Sequence, residues 1–346
     1  VDPSPNYDVN HLVGGDGSTF RNHASLDWTD KNNITHKHTS QADRRVNSQT
    51  VKNGQKSGSY NAITKEITWK VDVNYNSEEL KNAKIVDVIQ AGQKYIDGSL
   101  ILKTYTVDTN GNLVPNSTTE DLSFFDIEYP DPVNNNTLTI SLPNKNDLKY
   151  SIEFKTSVRS EAIKSNYKNR AVFTNGDYVR NLDASVTVTH GEKYVSKTGK
   201  QDGSLIHWSI AINESQSTIN DAELHDHPST NQILLENTFK LYPVTVHENG
   251  TYTIDYSNPL EVDKEYVVLF NTDAEGKQVF ILKFLNTIDR TYVLEYDSQI
   301  STTPDNKTIS NRVSLKGKEL SYEDGGGTTG GSESACYRED RGAHIR

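Results

Sequence analysis

The sequence predicts an all-β protein of tandem β-sandwiches. Three observations carry this: apolar and polar residues alternate over short stretches, Asn/Gly/Asp clusters punctuate them, and one pattern occurs twice. Alternation is plain in Ile67-Thr68-Trp69-Lys70-Val71-Asp72-Val73, in Tyr150-Ser151-Ile152-Glu153-Phe154 and in Ser185-Val186-Thr187-Val188-Thr189. Successive side chains of a strand point to opposite faces, so such runs are half-buried strands. Asp108-Thr109-Asn110-Gly111-Asn112 and Glu248-Asn249-Gly250 read as turns, and amphipathic helical patterns are scarce.

The repeat is ungapped where it is strongest. Trp69-Lys-Val-Asp-Val-Asn74 aligns with Trp208-Ser-Ile-Ala-Ile-Asn213, and Leu80, Ala83, Ile85 and Asp87 fall on Ile219, Ala222, Leu224 and Asp226. Downstream, Tyr150-Ser-Ile-Glu-Phe154 aligns with Tyr292-Val-Leu-Glu-Tyr296, and each leads to an Asn-Arg pair, Asn169-Arg170 and Asn311-Arg312. Upstream, Val51-Lys52-Asn53-Gly54 aligns with Ser196-Lys197-Thr198-Gly199, with about six extra residues before Trp69 in the first copy. Lys56 and Lys200 stand close by as alternative lysines.

The expected organisation is residues 47–190 for the first sandwich and 191–320 for the second. Residues 1–46 are expected to be the remnant or edge strands of a preceding repeat, because Phe20-Arg21-Asn22-His23-Ala24 resembles its Asn-bearing end. Residues 321–346, opening on a Gly/Ser-rich run, read as a flexible tail.

Composition narrows the function classes. The 346-residue chain has a net charge of −11, which opposes the clustered basic surface that nucleic acid requires. No apolar run is long enough to cross a bilayer, so no membrane insertion is expected, and the lack of methionine suggests a piece of a longer multidomain chain, monomeric within it. The single cysteine, Cys336, excludes an internal disulfide framework.

Each copy carries a Lys, an Asp and an Asn in that order. If the Lys lies on a first strand and the Asn on a last one, a sandwich brings them together. A desolvated lysine gives up its proton readily and a buried carboxyl retains one, so a neutral amine and a neutral acid meet an amide. The amine can then attack the Asn carbonyl while the acid polarises that carbonyl and shuttles protons; ammonia leaves and an isopeptide bond remains. The candidates are Lys52, Asp87 and Asn169 in the first copy, and Lys197, Asp226 and Asn311 in the second. The reaction turns over once on the chain itself, so the protein is not expected to be an enzyme.

Other residues have plainer readings. Trp69 and Trp208 are assigned to packing. His36 with His38, and His225 with His227, share a strand face but lack a third ligand, so no metal or cofactor is expected.

The motifs Lys-Ile-Val-Asp87-Val-Ile-Gln-Ala-Gly-Gln93, Ile-Thr-Trp69 and Tyr-Ser-Ile-Glu-Phe-Lys-Thr156 followed by Tyr-Lys-Asn169-Arg-Ala resemble the collagen-binding domain family of Gram-positive surface adhesins. The resemblance covers roughly residues 47 to 320, and the second copy departs from it where His225-Asp226-His227-Pro228 replaces the Asp-Val-Ile-Gln-Ala-Gly run. It implies Ig-like sandwiches, a Lys–Asn isopeptide with a catalytic Asp, an extracellular, cell-wall-anchored parent, and binding to a host extracellular-matrix protein such as collagen. The alternative is a stalk of spacer modules with no ligand of its own.

Overall fold

A computed structural model describes residues 19–45, 52–108, 113–274, 276–301, 308–318, 320–329 and 336–337. Two compact units divide it, one centred on residues 68–156 and 168–186, the other on the chain from residue 187 onward. Ahead of them Thr19–Thr29 (β1) and Thr35–Arg45 (β2) form a two-stranded antiparallel hairpin.

The first sandwich runs Gly54–Asn61 (β3), Glu66–Val73 (β4), Lys84–Val88 (β5), Lys94–Tyr95 (β6), Ile101–Val107 (β7), Leu113–Pro115 (β8), Asp126–Glu128 (β9), Thr137–Ser141 (β10), Lys149–Ser157 (β11), Asn166–Asn175 (β12) and Tyr178–Thr187 (β13). One sheet has the order β3-β4-β11-β7-β8, with β6 added to β11; the other has the order β13-β12-β5-β10-β9.

The second runs Val195–Asp202 (β14), Leu205–Ile212 (β15), Glu223–Pro228 (β16), Gln232–Leu234 (β17), Lys240–Val246 (β18), Tyr252–Ile254 (β19), Tyr266–Thr272 (β20), Gln278–Phe284 (β21), Tyr292–Ile300 (β22), Thr308–Gly317 (β23), Leu320–Thr329 (β24) and Cys336–Tyr337 (β25). Its sheets, β14-β15-β22-β18-β19 and β20-β21-β16-β23-β24-β25, repeat those of the first in order, with β25 added beyond β24 and β17 standing on β22 as β6 stands on β11. The stretch expected to begin a flexible tail at 321 instead lies within β24, which pairs along its length with β23.

The alternation seen in sequence becomes the inner face. In β4, Ile67, Trp69, Val71 and Val73 are buried while the residues between them are partly or wholly exposed; in β15 the same holds for Ile206, Trp208, Ile210 and Ile212. Burying such side chains from both sheets is the main force holding a sandwich together, about 1.5–3 kcal/mol for each large apolar side chain.

Two polar devices recur in both cores. Trp69 Nε1 donates to Gln93 (3.1 Å) and Thr156 (3.2 Å), and Trp208 Nε1 donates to Gln232 (3.1 Å) and Ser298 (2.9 Å). The indole N–H is thereby satisfied where water cannot reach it. Asn74 and Asn213 end the Trp strands in the left-handed region, at φ 58° and 57°. Each side-chain amide ties down the following loop, Asn74 on the Glu78 and Leu148 carbonyls and Asn213 on those of Ser217 and Arg290.

Candidate functional site

In the second sandwich β14 is the first strand of one sheet, while β16 and its neighbour β23 lie in the other. Alternation turns Lys197 inward from β14, and the register Asp226↔Val313 sets Asn311, two residues from Val313, on the same face as Asp226. The lysine therefore reaches across the gap between the sheets to a carboxylate and an amide. Lys197 Nζ lies 2.6 and 2.8 Å from the Asp226 oxygens, and both side chains are 0% exposed. Asn311 Nδ2 lies 3.3 Å from Asp226 Oδ2. The sequence reading placed these three together, and they are together here.

The first sandwich repeats this with a different lysine. Lys56 Nζ donates to Asp87 Oδ2, with side chains 0% and 1% exposed, and stands over the rings of Trp69 and Phe154 at 5.4 and 5.2 Å. The register Asp87↔Ala171 sets Asn169 two residues from Ala171 on the Asp87 face, as in the other copy. Lys52, named from the sequence, is exposed and precedes β3 by two residues. This corrects the assignment: Lys56 holds the position that Lys197 holds. Lys-x-Gly occurs twice here, as Lys52-Asn-Gly54 and Lys56-Ser-Gly58, and the second is the counterpart of Lys197-Thr-Gly199. Gly199 pairs with Trp208, and a Cβ on Gly58 would lie 2.7 Å from the Trp69 ring, so a glycine is needed where the tryptophan crosses the first strand. Only two residues, not six, separate the copies between this lysine and the Trp.

Burial dominates the electrostatics. It pushes the Lys56 amine down and the Asp87 carboxyl up, against their mutual attraction, so both shifts favour a proton on the acid rather than on the amine. Asn169 is 4% exposed, and among the described residues neither its Nδ2 nor its Oδ1 has a partner at full hydrogen-bond geometry, though the amide lies near enough to Asp87 to favour its carboxylate form weakly. Buried amides are nearly always satisfied, which marks this one as a candidate reactive group. Asn311 likewise keeps Oδ1 unpaired while Nδ2 faces the acid. Asp226 thus touches the nitrogen that would attack and the nitrogen that would leave, an arrangement that serves proton transfer between them. The expected polarisation of the carbonyl oxygen has no matching hydrogen bond.

The sequence reading also missed Tyr296. Its hydroxyl accepts from Lys197 Nζ (2.6 Å) and Asn311 Nδ2 (2.8 Å) and donates to Asp226 Oδ2. Phe154 stands in its place in the first copy, and that difference was visible in the alignment.

The histidines have other partners: His36 and His38 stack on Trp28 at 5.0 and 5.2 Å, and His225 contacts Glu223 at 3.0 Å. Among the described residues no group of three His, Cys, Asp or Glu could hold a metal. On the β14-β15-β22 sheet, Thr198, Lys200, His207, Ser209, Glu295 and Asp297 line an open groove of about 520 Å³.

Strand order defines a pair of Ig-like β-sandwich modules, each with a lysine and an aspartic acid meeting between its sheets beside an asparagine. The collagen binding domain family matches the chain twice, over residues 51–184 and 192–324, and the chain belongs to that family. Among solved structures it is similar to the collagen-binding domain of a Staphylococcus aureus adhesin (18% identity, 39% of this chain and 97% of that one, TM-score 0.31). It is also similar to the collagen-binding subdomain of the Enterococcus faecalis surface protein ACE (13% identity, 39% and 93%, TM-score 0.29) and to a collagen adhesin from S. aureus (14% identity, 82% and 87%, TM-score 0.26). No curated protein sequence matches significantly.

Proposed function

We propose that this chain is the ligand-binding region of a bacterial cell-surface adhesin, that its ligand is collagen or a related fibrous matrix protein, and that each sandwich is locked by a self-formed isopeptide bond, Lys56 to Asn169 and Lys197 to Asn311. The observation that carries the adhesin reading is the double match to the collagen binding domain family. The cross-links rest on the same buried constellation recurring in both copies, a lysine on a carboxylate with an asparagine amide two residues along the neighbouring strand.

The chemistry follows from the surroundings. Burial favours the neutral forms of the Lys56 amine and the Asp87 acid, and the folded sheets hold the reactants together so that no encounter is needed. In the first domain the Lys56 nitrogen attacks the Asn169 carbonyl carbon, Asp87 takes the proton that nitrogen sheds and passes one to the leaving nitrogen, and ammonia departs. The bond closes a long segment between a first strand and a late one, which suits a protein that bears load outside the cell.

Binding of the purified protein to immobilised collagens and to unrelated matrix proteins tests the ligand. Saturable binding to collagen is the expected result, and no saturable binding to any collagen would contradict it.

A stalk is the second reading, and the β1–β2 hairpin favours it. Asn22 sits opposite Ala42 in a long terminal hairpin, as Asn311 sits opposite Gly326 in β23–β24, the arrangement an array of repeats would show. Binding to none of the matrix proteins would favour this reading.

A further inference from the structure

The two clusters are not equivalent, and the difference lies at one hydroxyl. Tyr296 Oη is within hydrogen-bond reach of both nitrogens of the proposed exchange, 2.6 Å from Lys197 Nζ and 2.8 Å from Asn311 Nδ2. Its own hydrogen rests on Asp226. Phe239 stacks on the ring at 4.4 Å and Phe280 meets it edge-on at 5.3 Å, so packing fixes where the hydroxyl points.

We infer that Tyr296 is a catalytic residue of the second domain, relaying a proton from the attacking lysine nitrogen to the departing asparagine nitrogen. The inference rests on the cross-link reading above. As Lys197 Nζ bonds to Asn311 Cγ, the attacking nitrogen becomes cationic and must shed a proton. Tyr296 Oη takes that proton and delivers its own, by rotation about the C–O bond, to Nδ2. The Cγ–Nδ2 bond then breaks with its electron pair on nitrogen, ammonia leaves, and the tyrosine ends as it began. Burial raises the Tyr296 hydroxyl well above its ordinary pKa, followed by the nearby Asp226 charge, so it stays protonated and can accept and donate in one step. In the first domain Phe154 offers no such group at the Asn169 amide.

The test is a time course of cross-link formation in the whole chain. Protein made by cell-free synthesis is acid-quenched at intervals, and the Lys197–Asn311 and Lys56–Asn169 cross-linked peptides are quantified separately by mass spectrometry. Tyr296→Phe should slow the first by about tenfold or more and leave the second unchanged. An unchanged Lys197–Asn311 rate would overturn the relay while leaving the cross-links standing. Failure of either peptide pair to appear in the unsubstituted protein would sink the cross-link reading for that domain. Should Tyr296→Phe not fold, the solvent isotope effect in the unsubstituted protein decides: a larger effect on Lys197–Asn311 than on Lys56–Asn169 supports the relay, and equal effects overturn it.

Discussion

Lys56 and Asp87 meet between the two sheets of the first sandwich, amine on carboxylate and both shielded from water. Were both groups charged, the pair would be a poor stabiliser by itself, because desolvation offsets the attraction. Its place beside the Asn169 amide suits the proposed cross-link.

Removing the acid should block the bond and strand the base. Asp87→Ala is expected to keep the ammonia of its domain and to leave the Lys56 amine buried without its hydrogen-bond partner, costing about 1–3 kcal/mol beyond the loss of the cross-link. Intact mass and thermal unfolding of this variant check both parts.

Asn169→Ala separates the bond from the pair. It spares Lys56 and Asp87 but removes the acceptor carbonyl, so its stability loss reports the cross-link. The closed segment spans 113 positions, for which the chain-entropy relation for disulfides gives about 4–5 kcal/mol. Chemical denaturation of the variant against the unsubstituted protein measures this, and a loss below about 1 kcal/mol would contradict a covalent constraint.

The rate of bond formation in the first domain should be bell-shaped in pH. The reactive form of the pair carries one proton, on Asp87, with Lys56 neutral. Burial lowers the lysine and raises the aspartic acid, which widens the range over which this form exists. As pH falls the amine takes up a proton and attack stops; as pH rises the acid loses its proton and the shuttle stops. A rate that climbs steadily through alkaline pH would show that the acid is not needed.

Gly58→Ala should disrupt the same site indirectly. The added carbon would lie 2.6 Å from a Val186 methyl and 2.7 Å from Trp69 ring carbons. Either the ring or β3 must move, and the Lys56 amine stands over that ring. The expected outcome is a stability loss of about 1–3 kcal/mol and a smaller fraction of Lys56 cross-linked, read by unfolding and peptide mapping.

Much of this was legible in the sequence. The two tryptophan strands, their common spacing to Asp87 and Asp226, and the Asn-Arg pairs located both sandwiches and five of the six residues gathered in the clusters. Lys52 was chosen over Lys56 because Lys-x-Gly occurs at both positions, and local resemblance cannot separate two matches four residues apart. The crossing of Gly58 over Trp69 separates them, and it is a contact between strands. The tail was misjudged from 321 because Gly and Ser read as linker composition, whereas backbone pairing with β23 needs no particular side chain. Tyr296 was overlooked because a Tyr opposite a Phe looks like conservative packing until the hydroxyl is seen among Lys197, Asp226 and Asn311.

High-resolution intact mass tests the central claim most directly, on the purified protein and its Lys52→Ala, Lys56→Ala and Lys197→Ala variants. The account expects a mass two ammonia molecules below that of the sequence, with one restored by Lys56→Ala, one by Lys197→Ala and none by Lys52→Ala. The full sequence mass would contradict it, and restoration of an ammonia by Lys52→Ala would contradict the assignment of the first lysine.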